Sequence, residues 1–412
     1  MTTLARRLGT GDAVVVGLSA MIGAGVFVVF APAAAAAGAG LLVGLVVAAV
    51  VASCNAVASA QLASSHPASG GTYLFGRVVL GPWWGFLAGW GFVVGKTASC
   101  AAMAITFAAY AVPGSTLGQR LVGALAVVAL TWANLRGVTR TAYVARVLLA
   151  VVLLVLVVAL VVVLGGASDV EVARSWTVAG GALGVLQSAG LLFFAFAGYA
   201  RIATLAEEVR SPATLGRAVL VSLGFVVVLY AVVAVALLLV LGDGLANEPT
   251  PVAAAVSAVG ASWAEPVVRL GAAAASLGAL LALLAGVGRT TLAMARERDL
   301  PGWLASVDPR HQVPDHAQLA VGAAVVVLVL AADLRGAIGF SSFGVLVYYA
   351  VANASAYAQP AEQRRWPRAL NVLGLVGCVV LVVTLPGAAV VAGVVVLGVG
   401  LLGRSVVLAR RP

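Results

Sequence analysis

Long runs of apolar residues alternate along this chain with short clusters in which Arg, Asp, Glu, Pro and Gly are gathered. The runs are unbroken: Val219 to Leu241 carries no charge, and Val144 to Leu164 carries a single Arg. They lack the residue-by-residue alternation of a membrane-spanning β-strand. A helix crossing the hydrocarbon layer of roughly 30 Å needs about 20 apolar residues, and backbone polar groups in lipid must pair within the segment. One helix per apolar run predicts twelve spans, near residues 12–38, 40–63, 83–112, 118–135, 141–165, 181–206, 214–241, 262–291, 317–333, 336–357, 368–385 and 387–407. The first run is long and carries Asp12 where a signal peptide has basic flanks, so it is expected to be a retained span.

Composition narrows the class. Of 412 residues, 63% are hydrophobic and 9% charged, against roughly 25% charged in a soluble domain. A soluble enzyme, a disordered scaffold and a secreted disulfide module are excluded. The net charge of +10 does not indicate nucleic acid, because the basic residues flank spans and form no patch. With both termini cytoplasmic, the other side holds only Arg120, Arg174, Arg269 and Arg335, and Lys96 lies inside a span. That bias predicts a multi-pass plasma-membrane protein with both termini inside. Cys54, Cys100 and Cys378 fall within spans and form no CxxC pair, and His66, His311 and His316 lie in loops, so neither a metal nor another cofactor is expected. The motifs of ATP hydrolysis and of common hydrolases are absent from the sequence, and no enzymatic activity is expected.

Two spans contain a defect where a helix should be most regular. In the first it is Ser19 to Phe27, with Gly23 and Gly25; in the sixth it is Phe193 to Ala200, with Gly198. Glycine inside a helix costs about 1 kcal/mol relative to Ala, and unwound backbone at mid-depth is tolerated where it lines a cavity. Close helix packing also uses such glycines, but here the two breaks open corresponding five-span units, spans 1–5 and 6–10. An odd number of spans inverts the second unit. In inverted-repeat transporters, half-helix N-termini meet an anionic group while freed carbonyls meet a cation. A zwitterionic amino acid presents both charges on one carbon.

Several motifs, in order over residues 9 to 370, resemble those of the amino acid–polyamine–organocation superfamily of transporters. Ile22-Gly23-Ala24-Gly25-Val26-Phe27 is similar to its first-helix break. His66-Pro67-Ala68-Ser69-Gly70-Gly71-Thr72-Tyr73, followed by Leu80-Gly81-Pro82-Trp83-Trp84-Gly85-Phe86, resembles its helix 2–3 connection. Asn134-Leu135-Arg136-Gly137-Val138, the stretch from Phe193 through Gly198 to Glu207-Glu208, and Arg289 with Ala293-Met294-Ala295-Arg296 complete the series. The resemblance implies an all-α integral membrane protein with about twelve helices. Helices 1 and 6 are discontinuous, five helices and five helices form an inverted repeat, and two more follow. The corresponding segments are 1–11 as a cytoplasmic N-terminus, 12–165 and 181–357 as the repeats, 368–407 as helices 11 and 12, and 408–412 as a tail.

Carried over by resemblance, backbone at Met21, Ile22, Gly23, Ala24 and Gly25 holds a substrate carboxylate. Backbone at Phe193, Ala195 and Phe196 meets its ammonium group, Gly198 belongs to the same substrate-binding break, and Phe194 is the aromatic gate, unless it is an ordinary packing ring. Many members carry an acid two residues after the sixth-helix Gly, where this chain has Ala200 and then Arg201. No carboxylate falls at mid-span, which disfavours a cationic substrate. Arg201 and Glu208, seven apart on one helical face, are candidates for an inner gate; a solvated loop cluster accounts for them equally well.

Lys96 is the single lysine of the chain. At 1.5 Å per residue it lies roughly 17 Å into the membrane, where a charge costs at least about 2.5–3.5 kcal/mol. It is the expected coupling element, either protonatable or a fixed charge replacing a sodium ion; the alternative is a structural lysine that donates to carbonyls freed at a helix break. The function expected is secondary active transport of a neutral amino acid, coupled to protons or working by exchange. Its partners are that small molecule, the lipid bilayer and protons, with no nucleic acid. Export of neutral amino acids in the same fold and sensing without transport are the alternatives; a channel would need more polar lining at mid-depth than the sequence has.

Overall fold

The computed structural model describes residues 9–66, 70–138, 142–168, 176–199 and 212–409. The described part is helical, apart from one isolated antiparallel bridge between Gly38 and Val178. Span 1 is α1 (Thr10–Met21), α2 (Gly25–Val28) and α3 (Phe30–Ala37). After it come α4 (Leu41–Ser65), α5 (Gly71–Val79), α6 (Pro82–Ala111), α7 (Thr116–Leu135), α8 (Ala142–Gly166) and α9 (Gly181–Phe196). The second part has α10 (Pro212–Leu241), α11 (Pro251–Ala258), α12 (Glu265–Arg296), α13 (Asp315–Ala331), α14 (Leu334–Ala358), α15 (Arg368–Thr384) and α16 (Gly387–Ala409). Among the described residues nine segments are long and apolar enough to cross a membrane, and three shorter apolar helices, α9, α13 and α15, occupy the remaining predicted positions.

Local chemistry sets the ends. Gly81, at φ 107°, takes a conformation that only glycine adopts without strain, and Pro82 then opens α6 at a position where its missing N–H is not needed. Ser115 and Asp333 cap α7 and α14 by accepting from the amides of Gly118 and Gly336. Two elements were not anticipated. One is α5, in the span 2–3 connection; the other is α11, between spans 7 and 8, whose Thr-Pro start before an apolar run was the available signal.

Helix packing has an internal regularity. The α1–α10 contact has a counterpart in α9–α4, α6–α13 in α12–α7, α6–α14 in α12–α8, α4–α14 in α10–α8, and α1–α8 in α9–α14. Exchanging each of spans 1–5 with the span five further on therefore maps this set of contacts onto itself. An arginine-rich face is tied by Arg146 to Asp12 (2.8 Å) and by Arg77 and Arg404 to Asp299 (2.9 and 3.0 Å). The opposite face holds Arg269 bonded to Glu265, and Arg335 bonded to Gln187.

Candidate functional site

The first break follows from Ile22, whose ψ of 76° turns the chain out of α1. The amide of Gly23 then closes a tight turn onto the Met21 carbonyl at 3.0 Å, and helix resumes at Gly25. In the sixth span α9 stops at Phe196, and the chain tightens through Ala197 and Tyr199, whose amides reach back three residues at 3.4 Å. Ending a helix leaves its last carbonyls without intrahelical donors. Such groups in a bilayer must be satisfied by side chains or by a ligand.

The two breaks lie against each other. A Cβ on Gly25 would stand 3.0 Å from that of Ala195 and 3.8 Å from the Phe194 ring, and one on Gly198 would collide with the backbone carbonyl of Ala20. A Cβ on Gly23 would stand 3.3 Å from that of Ala279 on α12. Met21, Ile22, Ala24, Phe193, Phe194, Ala195 and Phe196 are buried. Ten of the predicted backbone and gate residues thus converge on one locus, from two segments far apart in sequence. Arg201 and Glu208 lie outside the described residues.

Three side chains hold the freed carbonyls. The Tyr230 hydroxyl of α10 lies 2.8 Å from the carbonyl of Met21 and 3.2 Å from that of Ala195, so it bridges the two breaks. Lys96, halfway along α6 and 8% exposed, donates from Nζ to the Ala197 carbonyl at 3.2 Å. The Tyr349 hydroxyl of α14 donates to the same carbonyl at 3.5 Å. At the far end of α2, Tyr110 donates to the Phe27 carbonyl at 2.8 Å. Lys96 is therefore brought to the break as expected; a coupling lysine and a structural one would both make this contact. Tyr230, Tyr349 and Tyr110 were missed, because a tyrosine in an apolar helix carries no local sign of what its hydroxyl meets.

Among the described residues no group of His, Cys, Asp and Glu is arranged to hold a metal ion. Cys54, Cys100 and Cys378 are buried thiols. Every carboxylate of the described residues stands at a helix end or in a connection, as with Asp12, Glu265, Asp299 and Asp333.

Broken helices that meet at mid-depth in an all-α membrane protein define a transporter class, not an enzyme. The family model described as amino acid permease matches residues 8–399, and the chain belongs to that family. An uncharacterized transporter of Mycobacterium bovis is 55% identical over 96% of this chain and 90% of its own length. The branched-chain amino acid permease BcaP of Bacillus subtilis is 27% identical over 90% of this chain and 85% of its own. The methylthioribose transporter of the same organism is 27% identical over 84% and 78%.

Proposed function

We propose that this protein is a secondary active transporter that carries a neutral amino acid across the plasma membrane by alternating access, coupled to protons or working by exchange. The observation that carries the reading is the meeting of the two breaks, with Lys96 donating to the Ala197 carbonyl beside them. Backbone at Met21–Gly25 supplies amides for the substrate carboxylate, carbonyls around Phe193, Ala195 and Phe196 face its ammonium group, and Gly198 completes the break. Phe194, packed over Gly25, is the gate. Arg201 and Glu208 form the inner gate on this reading. The set of contacts preserved when spans five apart are exchanged supports an inverted repeat.

A neutral substrate is favoured because a cationic side chain would find no mid-span carboxylate among the described residues, and an unpaired buried charge is costly. The printed name of the branched-chain relative points the same way, whereas a cationic amino acid transporter of Arabidopsis thaliana, 28% identical over 88% of this chain, points to a cationic substrate. Lys96 supplies the charge that a bound sodium ion would otherwise supply. The arginine-rich face is the cytoplasmic one, with both termini on that side.

The test is uptake and counterflow in proteoliposomes against a panel of amino acids and methylthioribose, with proton and sodium gradients imposed separately. Saturable flux of neutral amino acids that responds to the proton gradient, or that appears only as exchange, is the expected result. Absence of flux for every compound under every gradient would sink the transporter reading. Sodium dependence would remove the role given to Lys96.

A further inference from the structure

We propose that arginines from two distant spans, Arg217 of α10 with Arg364, Arg365 and Arg368 at the α14–α15 connection, form a site for the headgroup of an anionic phospholipid. The connection is held from below by buried amides. Gln61 of α4 donates to the Ala356 carbonyl at 3.2 Å and to Gln359 Oε1 at 2.8 Å, and its own Oε1 accepts from the Arg365 amide at 3.2 Å. Gln61 is 0% and Gln359 1% exposed. Arg364 Nε closes the turn by donating to the Gln359 carbonyl at 3.0 Å. These bonds fix the path of the chain and leave the side chains of Arg365 and Arg368 exposed.

Trp366 carries the connection across to span 7. A Cβ on Gly216 of α10 would stand 3.1 Å from the Trp366 ring, so the ring rests on a position that has no side chain. Arg217 is the next residue of α10 and is exposed, and Arg365 precedes Trp366, so this contact brings the two arginines to one place. The sequence shows no such patch because its parts lie far apart along the chain. On the other side, the Arg368 guanidinium lies 4.9 Å over the ring of Tyr357, which is exposed. Aromatic rings at the ends of spans sit at headgroup level.

Four positive charges here face one exposed carboxylate, Glu362. Among the described residues none of the four is in an ion pair, whereas Arg77, Arg146 and Arg404 of the same face each hold an Asp or Glu. A phosphodiester offers two oxygens that share one negative charge, and guanidinium forks match that geometry. Basic pockets between spans bind lipid headgroups in this way. One turn deeper, Leu220 and Val221 of α10 and Val372 of α15 are exposed apolar side chains. They offer a surface to acyl chains and none to a soluble phosphate, which selects the phospholipid. A lipid seated there joins span 7 to the corner between spans 10 and 11.

Native mass spectrometry of the full-length protein in detergent, titrated with dioleoylphosphatidylglycerol or dioleoylphosphatidylcholine, tests the site. Wild type should retain phosphatidylglycerol in preference to phosphatidylcholine and gain in Tm with it. Arg217→Gln and Arg365→Gln should each weaken that binding about fivefold, the effect of one basic residue at an anionic headgroup. The double variant should lose the Tm gain. Arg365→Gln keeps the main-chain bond to Gln61, so its Tm without lipid should equal that of wild type. Arg310→Gln, at an exposed arginine of the same face outside the cluster, should leave binding unchanged. Equal retention of the two lipids by wild type would overturn the site. So would a loss in Arg310→Gln as large as in Arg217→Gln, which would mark a response to surface charge in general. Displacement of the bound lipid by an equal concentration of sn-glycerol 3-phosphate would overturn it in favour of a soluble phosphate.

Discussion

Gly198 sits where the turn after α9 presses on the end of α1, and a Cβ there would collide with the carbonyl of Ala20. The obstacle is backbone, so no side chain can rotate out of the way. Gly198→Ala is expected to cost about 1–3 kcal/mol as an overpacked contact, visible as a lower Tm in detergent together with lost uptake. Tyr230 is the complementary case. Its hydroxyl reaches the Met21 and Ala195 carbonyls, and Tyr230→Phe leaves two buried acceptors with one donor fewer, a loss of about 1–3 kcal/mol. Thermal unfolding should show that loss, while a Tyr230→Phe protein as stable as wild type would remove the bridge from the account. The glycines were legible in the sequence because a helix breaker in an apolar run is a local anomaly. Tyr230 was not, because its partners are 209 and 35 residues away.

At the scale of elements, Asp299 joins three that the sequence leaves separate. It lies just beyond α12, is buried, and takes hydrogen bonds from Tyr73 (2.8 Å) and Arg77 (2.9 Å) of α5 and from Arg404 (3.0 Å) of α16. Burial, together with the neighbouring Asp299 carboxylate, pushes the Tyr73 phenol above its usual range, so it remains a donor at all working pH values. Arg404 also lies 4.7 Å over the Trp83 ring and donates to the Pro82 carbonyl at 2.6 Å. Removing one partner of such a buried cluster strands the others, at a cost on the order of 3–5 kcal/mol. Asp299→Ala should therefore lower Tm and expose the C-terminal end of α16 to protease, while Arg120→Ala on the other face should not.

The loop before α13 gives a pH test. The Arg310 amide and the His311 ring hold the Asp308 carboxyl below the usual carboxylate range. A depressed folded-state value means that the stabilisation is complete above the ordinary carboxylate pKa and is lost as pH falls through the lowered one. Hydrogen exchange at the Arg310 amide should be slow at pH 6, should quicken relative to its intrinsic rate only in strong acid, and should be fast at both in Asp308→Ala. The Asp308 link is local, within three residues, whereas the Asp299 link was not readable from local pattern, since Tyr73 and Arg77 lie 226 and 222 residues away. An Asp in a connection looks solvated until the fold shows what surrounds it.

For the whole molecule, the testable property is orientation. Gly302 and Gly244 are exposed, on the arginine-rich and opposite faces respectively, and a Cβ on either meets nothing within 4 Å. With the three native cysteines replaced, Gly302→Cys should react with a membrane-impermeant maleimide only after the membrane is opened, and Gly244→Cys should react in intact cells. The reverse pattern would invert the assigned topology. The distribution of arginines was legible without a structure because each marks a span end by its own position.

Sequence alone determined the class, the succession of apolar helices, and the places where two of them break. Each follows from local physics: the length of apolar runs against bilayer thickness, and the cost of glycine in a helix. What only the tertiary structure decided is which distant groups meet. The breaks lie against each other, Lys96 reaches the Ala197 carbonyl, Tyr230 bridges both breaks, and Asn353 of α14 meets Asn55 of α4. Hydrogen-bond partners inside a membrane are obligatory, but apolar surroundings look alike in sequence, so only the packed chain shows which donor serves which carbonyl.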